Sequence, residues 1–160
     1  MDMSTIYYYA KKEAIPVYLK YGIRLSKNFD KEFNINGYQK PYLIGLLNPK
    51  DDMNKFASMD YFCIKLDVLD SHLLVIDASK TDDNQMMKEV TPIEKYVFGS
   101  FLKPRVLIDT SVISDKISLY NPVQDIPLFY DNSKDFFYQV QIEKRLNELP
   151  LEEIYQRLKE

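Results

Sequence analysis

The sequence predicts an α+β fold: one domain over residues 1–160, with a curved, mainly antiparallel sheet, flanking helices and a C-terminal helical tail. Three observations lead there. Strand-like runs at 61–66 and 73–76 are separated by only residues 67–72, too few for the crossover helix that a parallel pair needs. In the tail, Phe136, Val140, Ile142, Leu146 and Leu149 recur at helical spacing. Finally, 160 residues at 46% hydrophobic and 28% charged suit a single globular core that needs neither disulfide nor metal.

The elements follow in order. Residues 4–9 read as a first strand and residues 11–21 as a helix, which tolerates Pro16 best if it starts late and places the proline in its first turn. Gly22 stands where a left-handed C-terminal cap is expected. Residues 23–33 are mixed and polar, a loop with a short strand. Residues 42–47 form a compact apolar run closed by the turn signal Asn48-Pro49. Residues 61–66 and 73–76, rich in aromatic and β-branched side chains, are the clearer strands, joined as a hairpin or by a short excursion. Residues 80–85 read as a polar loop and residues 86–98 as a helix, with Thr91-Pro92 marking its break or its true start. Residues 105–109, apolar at Val106, Leu107 and Ile108, are a buried strand, and 114–117 a single helical turn. Asp135 is placed to cap the helix 135–149, Pro150 interrupts it, and residues 151–158 begin a second short helix.

Charge and composition exclude several classes. Twenty-one basic residues against 24 acidic ones give a net charge of -3, which argues against a broad nucleic-acid surface while leaving room for a local patch. The single cysteine, Cys63, and single histidine, His72, exclude a disulfide-stapled fold and a Cys/His zinc site. No apolar run approaches a membrane span and no signal peptide is visible, so a cytoplasmic location is expected, with no membrane contact. Thirteen Tyr and 9 Phe with no Trp fit core edges where a ring is buried and a hydroxyl stays wet.

Motifs that would announce a chemistry are missing. Four scattered glycines cannot build a phosphate-cradling loop. His72 lies in the polar turn Asp70-Ser71-His72 and has no nucleophile motif around it. Cys63, between Phe62 and Ile64, reads as an inert thiol within a strand. Asp60, Asp67, Asp70, Asp77, Asp82 and Asp83 read as strand-end and turn carboxylates rather than metal ligands. Glu89 and Glu94, five apart, share no face of a regular helix, and either could serve as a lone acid in a cleft.

The N-terminal segment carries a family resemblance. Ile6-Tyr7-Tyr8-Tyr9-Ala10, a short helix and then Tyr21-Gly22-Ile23-Arg24-Leu25-Ser26 resemble the opening of ADP-ribosyltransferase-like folds, especially the DNA-targeting ADP-ribosyltransferase toxins. Their first strand runs apolar-Tyr-His-x-Thr, followed by a helix and Gly-Ile or Gly-Leu. Residues 61–66 are similar to a central strand of that family, and Pro104-Arg105-Val106-Leu107-Ile108 with residues 112–117 to its Glu-Val-Leu-Val stretch and following turn. The likeness covers residues 4–118.

What the resemblance implies is altered by three departures: Tyr8 at the first-strand histidine, Ala10 at the Thr or Ser, and Arg105 at the catalytic glutamate. A guanidinium has the wrong charge to stabilise an oxocarbenium ion or activate an acceptor. The implied function is a degenerate or atypical ADP-ribosyltransferase-like domain that binds NAD or another nucleotide-type ligand. Tyr8 or Tyr42 would stack on a base, Arg24 or Arg105 would contact phosphate, and Ser26 would complete the set. If any transfer from NAD persists, Glu89 or Glu94 is the displaced acid. A different reading is a non-enzymatic interaction domain, binding a protein partner or a second copy of itself through the aromatic-rich residues 128–138 and the C-terminal helices.

Overall fold

In the computed structural model, which describes residues 2–80, 82–122, 125 and 131–147, the strands form two antiparallel sheets. The first has the order β1-β4-β8, built from β1 (Met3–Lys11), β4 (Tyr61–Leu69) and β8 (Ile117–Leu119). The second runs β2-β3-β7-β5-β6, from β2 (Lys31–Ile35), β3 (Tyr38–Gly45), β5 (Leu73–Asp77), β6 (Thr91–Pro92) and β7 (Pro104–Ile108). The α+β class therefore holds, with the expected single sheet divided in two. Tyr7 and Leu46 exchange backbone hydrogen bonds of 2.7 and 2.9 Å, and this bridge stitches β1 to the end of β3 where the sheets meet.

Alternation along the strands determines what is buried. Ile6 and Tyr8 of β1 and Ile64, Leu66 and Val68 of β4 join Leu43, Leu73, Val106 and Ile108 of the second sheet in one core. Their neighbours Tyr42, Ile76 and Leu107, on the opposite face, pack with Phe33 and with Met86 from helix α4 (Asp83–Lys88) in a second cluster. Each fully buried aliphatic side chain contributes about 1.5–3 kcal/mol. Gly45 permits the close approach of β3 to β1, since a Cβ there would sit 2.4 Å from Ile6 Cγ2.

Helix α1 (Ile15–Tyr21) starts late, with Pro16 in its first turn where no intrahelical N–H is lost. Its cap is Gly22 at φ 81°, which frees Ile23 to form a two-way backbone bridge with Val112. The segment expected to be loop holds a short helix α2 (Leu25–Asn28), then β2. A tight turn at Asn36 and Gly37, both at positive φ, folds β2 onto β3. A further short helix, α3 (Met53–Phe56), precedes β4.

Of the hairpin and the short excursion expected over residues 67–72, the structure has the excursion: β4 runs on to Leu69, the 3-10 turn Asp70–His72 turns a corner, and β5 enters the other sheet. One expectation is corrected. Residues 86–98 are not a helix, because the helix lies earlier at Asp83–Lys88 and Thr91–Pro92 pairs as a short edge strand with Leu74 and Val75. Pro92, which lacks an N–H, is suited to such an edge.

Helix α5 (Ser133–Asn147) matches the expected tail helix, offset by two residues. Phe136 and Val140 pack so closely on Gly99 that a Cβ there would lie 2.8 Å from each. The expected helix over 151–158 lies outside the described residues, as do Phe129 and Tyr130. Among the described residues, no helix is long and apolar enough to cross a membrane.

Candidate functional site

The junction of the two sheets leaves a cleft of about 220 Å³ lined by Tyr8, Tyr9, Asp30, Asp52, Lys55 and Arg105, with Ile44 and Leu46 as its apolar floor. Tyr8 projects inward from β1, Ile44 belongs to β3, Arg105 is the second residue of β7, and Asp30 stands one residue before β2. The bridge between Tyr7 and Leu46 fixes the spacing of these strands.

Asp30 is the chemical centre of the cleft. The residue as a whole is exposed, yet its carboxylate accepts the Tyr8 hydroxyl at 3.1 and 3.2 Å on its two oxygens and the Ile44 N–H at 2.8 Å. Burial pushes this carboxyl above the usual aspartate value, and the Ile44 N–H, the Tyr8 hydroxyl and the charge of Lys55 hold part of that rise back. Burial, and then the charge of Asp30, push the Tyr8 hydroxyl up in turn, so it remains a donor. Tyr9 donates its hydroxyl to the Pro49 carbonyl at 2.6 Å and anchors the far wall. Asp52 caps helix α3 by accepting the Lys55 N–H at 3.1 Å.

Arg105 divides this cleft from a larger cavity of about 550 Å³, whose wall it shares with Lys50, Lys103, Lys134, Ser79 and Ser133. Its guanidinium donates to the carbonyls of Pro104 at 2.9 Å and Asp51 at 3.3 Å. Burial lowers its pKa, against the opposing charges of Asp51, Asp52 and Asp77. Asp77 holds three of the residues that line this cavity, accepting Ser79 N–H and Oγ–H at 3.0 and 2.7 Å, Lys103 N–H at 3.1 Å and Leu102 N–H at 3.3 Å. Asp51 docks the start of α5, its two oxygens taking the Ser133 N–H at 2.8 Å and Oγ–H at 2.7 Å.

Of the residues expected in a site, Tyr8 and Arg105 come together. Arg24 and Ser26 sit exposed at the start of α2 and line neither cavity. Tyr42 is buried in the second cluster, across the sheet from Tyr8. Neither tyrosine can stack on a base: Tyr8 is 6% and Tyr42 3% exposed, and Tyr8 offers the cleft its hydroxyl edge. Glu89 is exposed at the end of α4, and Glu94 lines a separate surface hollow with Asp2 and Asp70. Asp30, Asp52 and Lys55 escaped the sequence reading, since no motif marks them and only the register of the strands brings them to Tyr8.

Elsewhere, His72 Nδ1 pairs with Asp109 Oδ1 at 2.7 Å at the end of β5 and β7. Burial pushes the Cys63 thiol up to about 12. Among the described residues, no group of three acidic, His or Cys side chains is arranged to hold a metal.

Fold and site together define an α+β domain with a polar, carboxylate-bearing cleft at the seam of two antiparallel sheets. No family model matches this chain, and comparisons with curated proteins and with solved structures give no match either.

Proposed function

We propose that this chain is an atypical ADP-ribosyltransferase-like domain whose seam cleft takes a nucleotide-type ligand, NAD among them. The observation that carries the reading is that Tyr8 and Arg105 line one cleft, at the two positions where the family resemblance expects a histidine and an acid. Arg105 supplies no carboxylate, but Asp30 does, from a different strand junction in the same cleft. Burial raises its pKa, and it accepts the Tyr8 hydroxyl inside the cleft, where a carboxyl is placed to exchange a proton with a bound hydroxyl or water. On this reading Asp30, not Glu89 or Glu94, is the acid of any remaining activity, and Lys55 and Arg105 face the ligand's anionic groups.

Thermal shift with NAD, ADP-ribose and mononucleotides tests the reading. A ligand at 100 times its dissociation constant adds about 2.7 kcal/mol, or roughly 5–11 °C for a chain of this size. Asp30→Asn should retain that shift while abolishing any NAD consumption by the wild type. Absence of a shift with all of these compounds overturns the reading.

A second reading, a protein-interaction domain, is favoured by one observation. Tyr138, Ile142 and Leu146, four residues apart along α5, are 48%, 59% and 36% exposed and form one apolar stripe away from the Gly99 contact. Sedimentation of the full chain at rising concentration distinguishes self-association through that stripe from a monomer, with Ile142→Glu as the control.

A further inference from the structure

We propose that helix α5 is a releasable wall of the larger cavity, latched by the Asp51 carboxylate on Ser133 and coupled to the seam cleft through the 3-10 turn Pro49–Asp51. The inference concerns how the two cavities are joined and does not depend on what either of them binds.

Helix α5 caps itself and uses Asp51 only to dock. Asn132 stands just ahead of it, with Oδ1 accepting the Asp135 N–H at 2.9 Å and Nδ2 donating to Asp135 Oδ2 at 3.0 Å. The Ser133 N–H and hydroxyl both leave the helix for the two oxygens of Asp51. Of the 15 residues in α5, Ser133 alone is buried. Phe136, Phe137 and Val140 are half-buried and the rest are exposed. A helix of this length is marginal by itself in water, and an element that buries so little belongs to the low end of local stability. Two hydrogen bonds to one carboxylate are of the strong, charge-assisted kind, so the first turn is where the helix is fastened. Release would change the cavity, because Asn132, Ser133, Lys134 and Asp135 form one of its walls.

The turn at residues 49–51 ties this latch to the seam cleft residue by residue. The Pro49 carbonyl accepts the Tyr9 hydroxyl at 2.6 Å. Lys50 pairs with Asp131 at 2.8 Å, ahead of α5. The Asp51 carbonyl accepts from Arg105 at 3.3 Å while its carboxylate holds Ser133. Burial pushes the Asp51 carboxyl up, and the bonds from Ser133 and the charge of Arg105 hold part of that rise back. Tyr9 and Arg105 both line the seam cleft, so moving either one pulls on the backbone that carries the latch. Two sites and one element with a fastened and a released arrangement are the physical requirement for coupling.

Hydrogen exchange of the full chain, read by mass spectrometry on peptides from 133–147 and from β4 and β7, tests the inference. Ser133→Ala should speed exchange in α5 at least about tenfold and leave β4 and β7 unchanged. Asn132 still caps the helix in this variant and alanine is a strong helix former, so the acceleration reports lost docking rather than lost helicity. Tyr9→Phe, which removes only the bond to the Pro49 carbonyl, should speed α5 at least about threefold. A reporter thiol in the cavity, Leu102→Cys, should be labelled at least about tenfold faster in the Ser133→Ala background. Exchange of α5 in step with β7 in the wild type, or α5 rates unmoved by Ser133→Ala, overturns the latch. Equal labelling of Leu102→Cys with and without Ser133 overturns the wall, and α5 rates unmoved by Tyr9→Phe overturn the coupling through the turn.

Discussion

Asp77→Ala should be among the most damaging polar substitutions in the chain. The carboxylate is 5% exposed and receives four donors, three of them backbone N–H groups on two loops. Removing it leaves these donors without their acceptor, at about 1–3 kcal/mol for each group that water does not reach. The larger cavity opens beside Ser79, Leu102 and Lys103, so water can rescue part of the set, and a net loss of about 3 kcal/mol follows. For a chain of this length that lowers Tm by roughly 6–12 °C. Asp77→Asn keeps one oxygen acceptor and should lose about half as much. The acid dependence supplies a second signature. Burial pushes the Asp77 carboxyl up, but the hydrogen bonds from Ser79, Lys103 and Leu102 outweigh it and hold the carboxyl below its ordinary 3.8. The folded state thus binds the proton less readily than the unfolded one. The stabilisation is complete above 3.8 and fades as pH falls through the lower native value. Melting followed by circular dichroism should show the gap between wild type and Asp77→Ala closing below pH 3.8. A Tm within about 2 °C of wild type at neutral pH would refute the reasoning.

Two shorter predictions concern the frame. Gly22→Ala should cost about 3 kcal/mol or more, from strain at a backbone conformation near φ 81°, ψ -176° and from a Cβ placed 2.4 Å from the Val112 carbonyl; chemical denaturation measures it, and an unchanged midpoint would show that the Ile23–Val112 bridge is dispensable. Cys63, its thiol pushed up to about 12 by burial, should resist a chromogenic disulfide reagent at pH 8 in the folded chain and react at once in denaturant, so rapid labelling of the folded protein would contradict its placement in β4.

The framework was legible in the sequence where local pattern and tertiary packing agree. The runs of β5 and β7 are apolar because they are buried, and in α5 Phe136 and Val140 pack on Gly99 while Ile142 and Leu146 of the same series are exposed. Pro16 and Gly22 mark the two ends of α1 through backbone chemistry alone. Misreadings arose where a partner distant in sequence decides the outcome. Residues 86–98 carry apolar residues at intervals a helix would accept, yet Thr91 and Pro92 are held by Val75 and Leu74. The turn between β4 and β5 fits a hairpin as well as an excursion, because nothing local records that its strands enter different sheets. The β2–β3 hairpin is the reverse case: Asn36-Gly37 is a local signal for it, and the surrounding polar residues masked it.

The same division explains the candidate site. Tyr8 and Arg105 stand 97 positions apart and are joined because β1 meets β3 at Leu46 and β3 pairs with β7 at Gly45 and Val106. Asp30 reaches them from outside every regular strand, held by the Ile44 N–H. Arg105 therefore shares the cleft with a carboxylate that comes from a different part of the chain. The cleft thus holds two cations, Lys55 and Arg105, beside two carboxylates, Asp30 and Asp52, within the same 220 Å³. Asp30 holds its place there through the Tyr8 hydroxyl and the Ile44 N–H, partners that lie 22 and 14 positions away and leave no mark on the sequence around it.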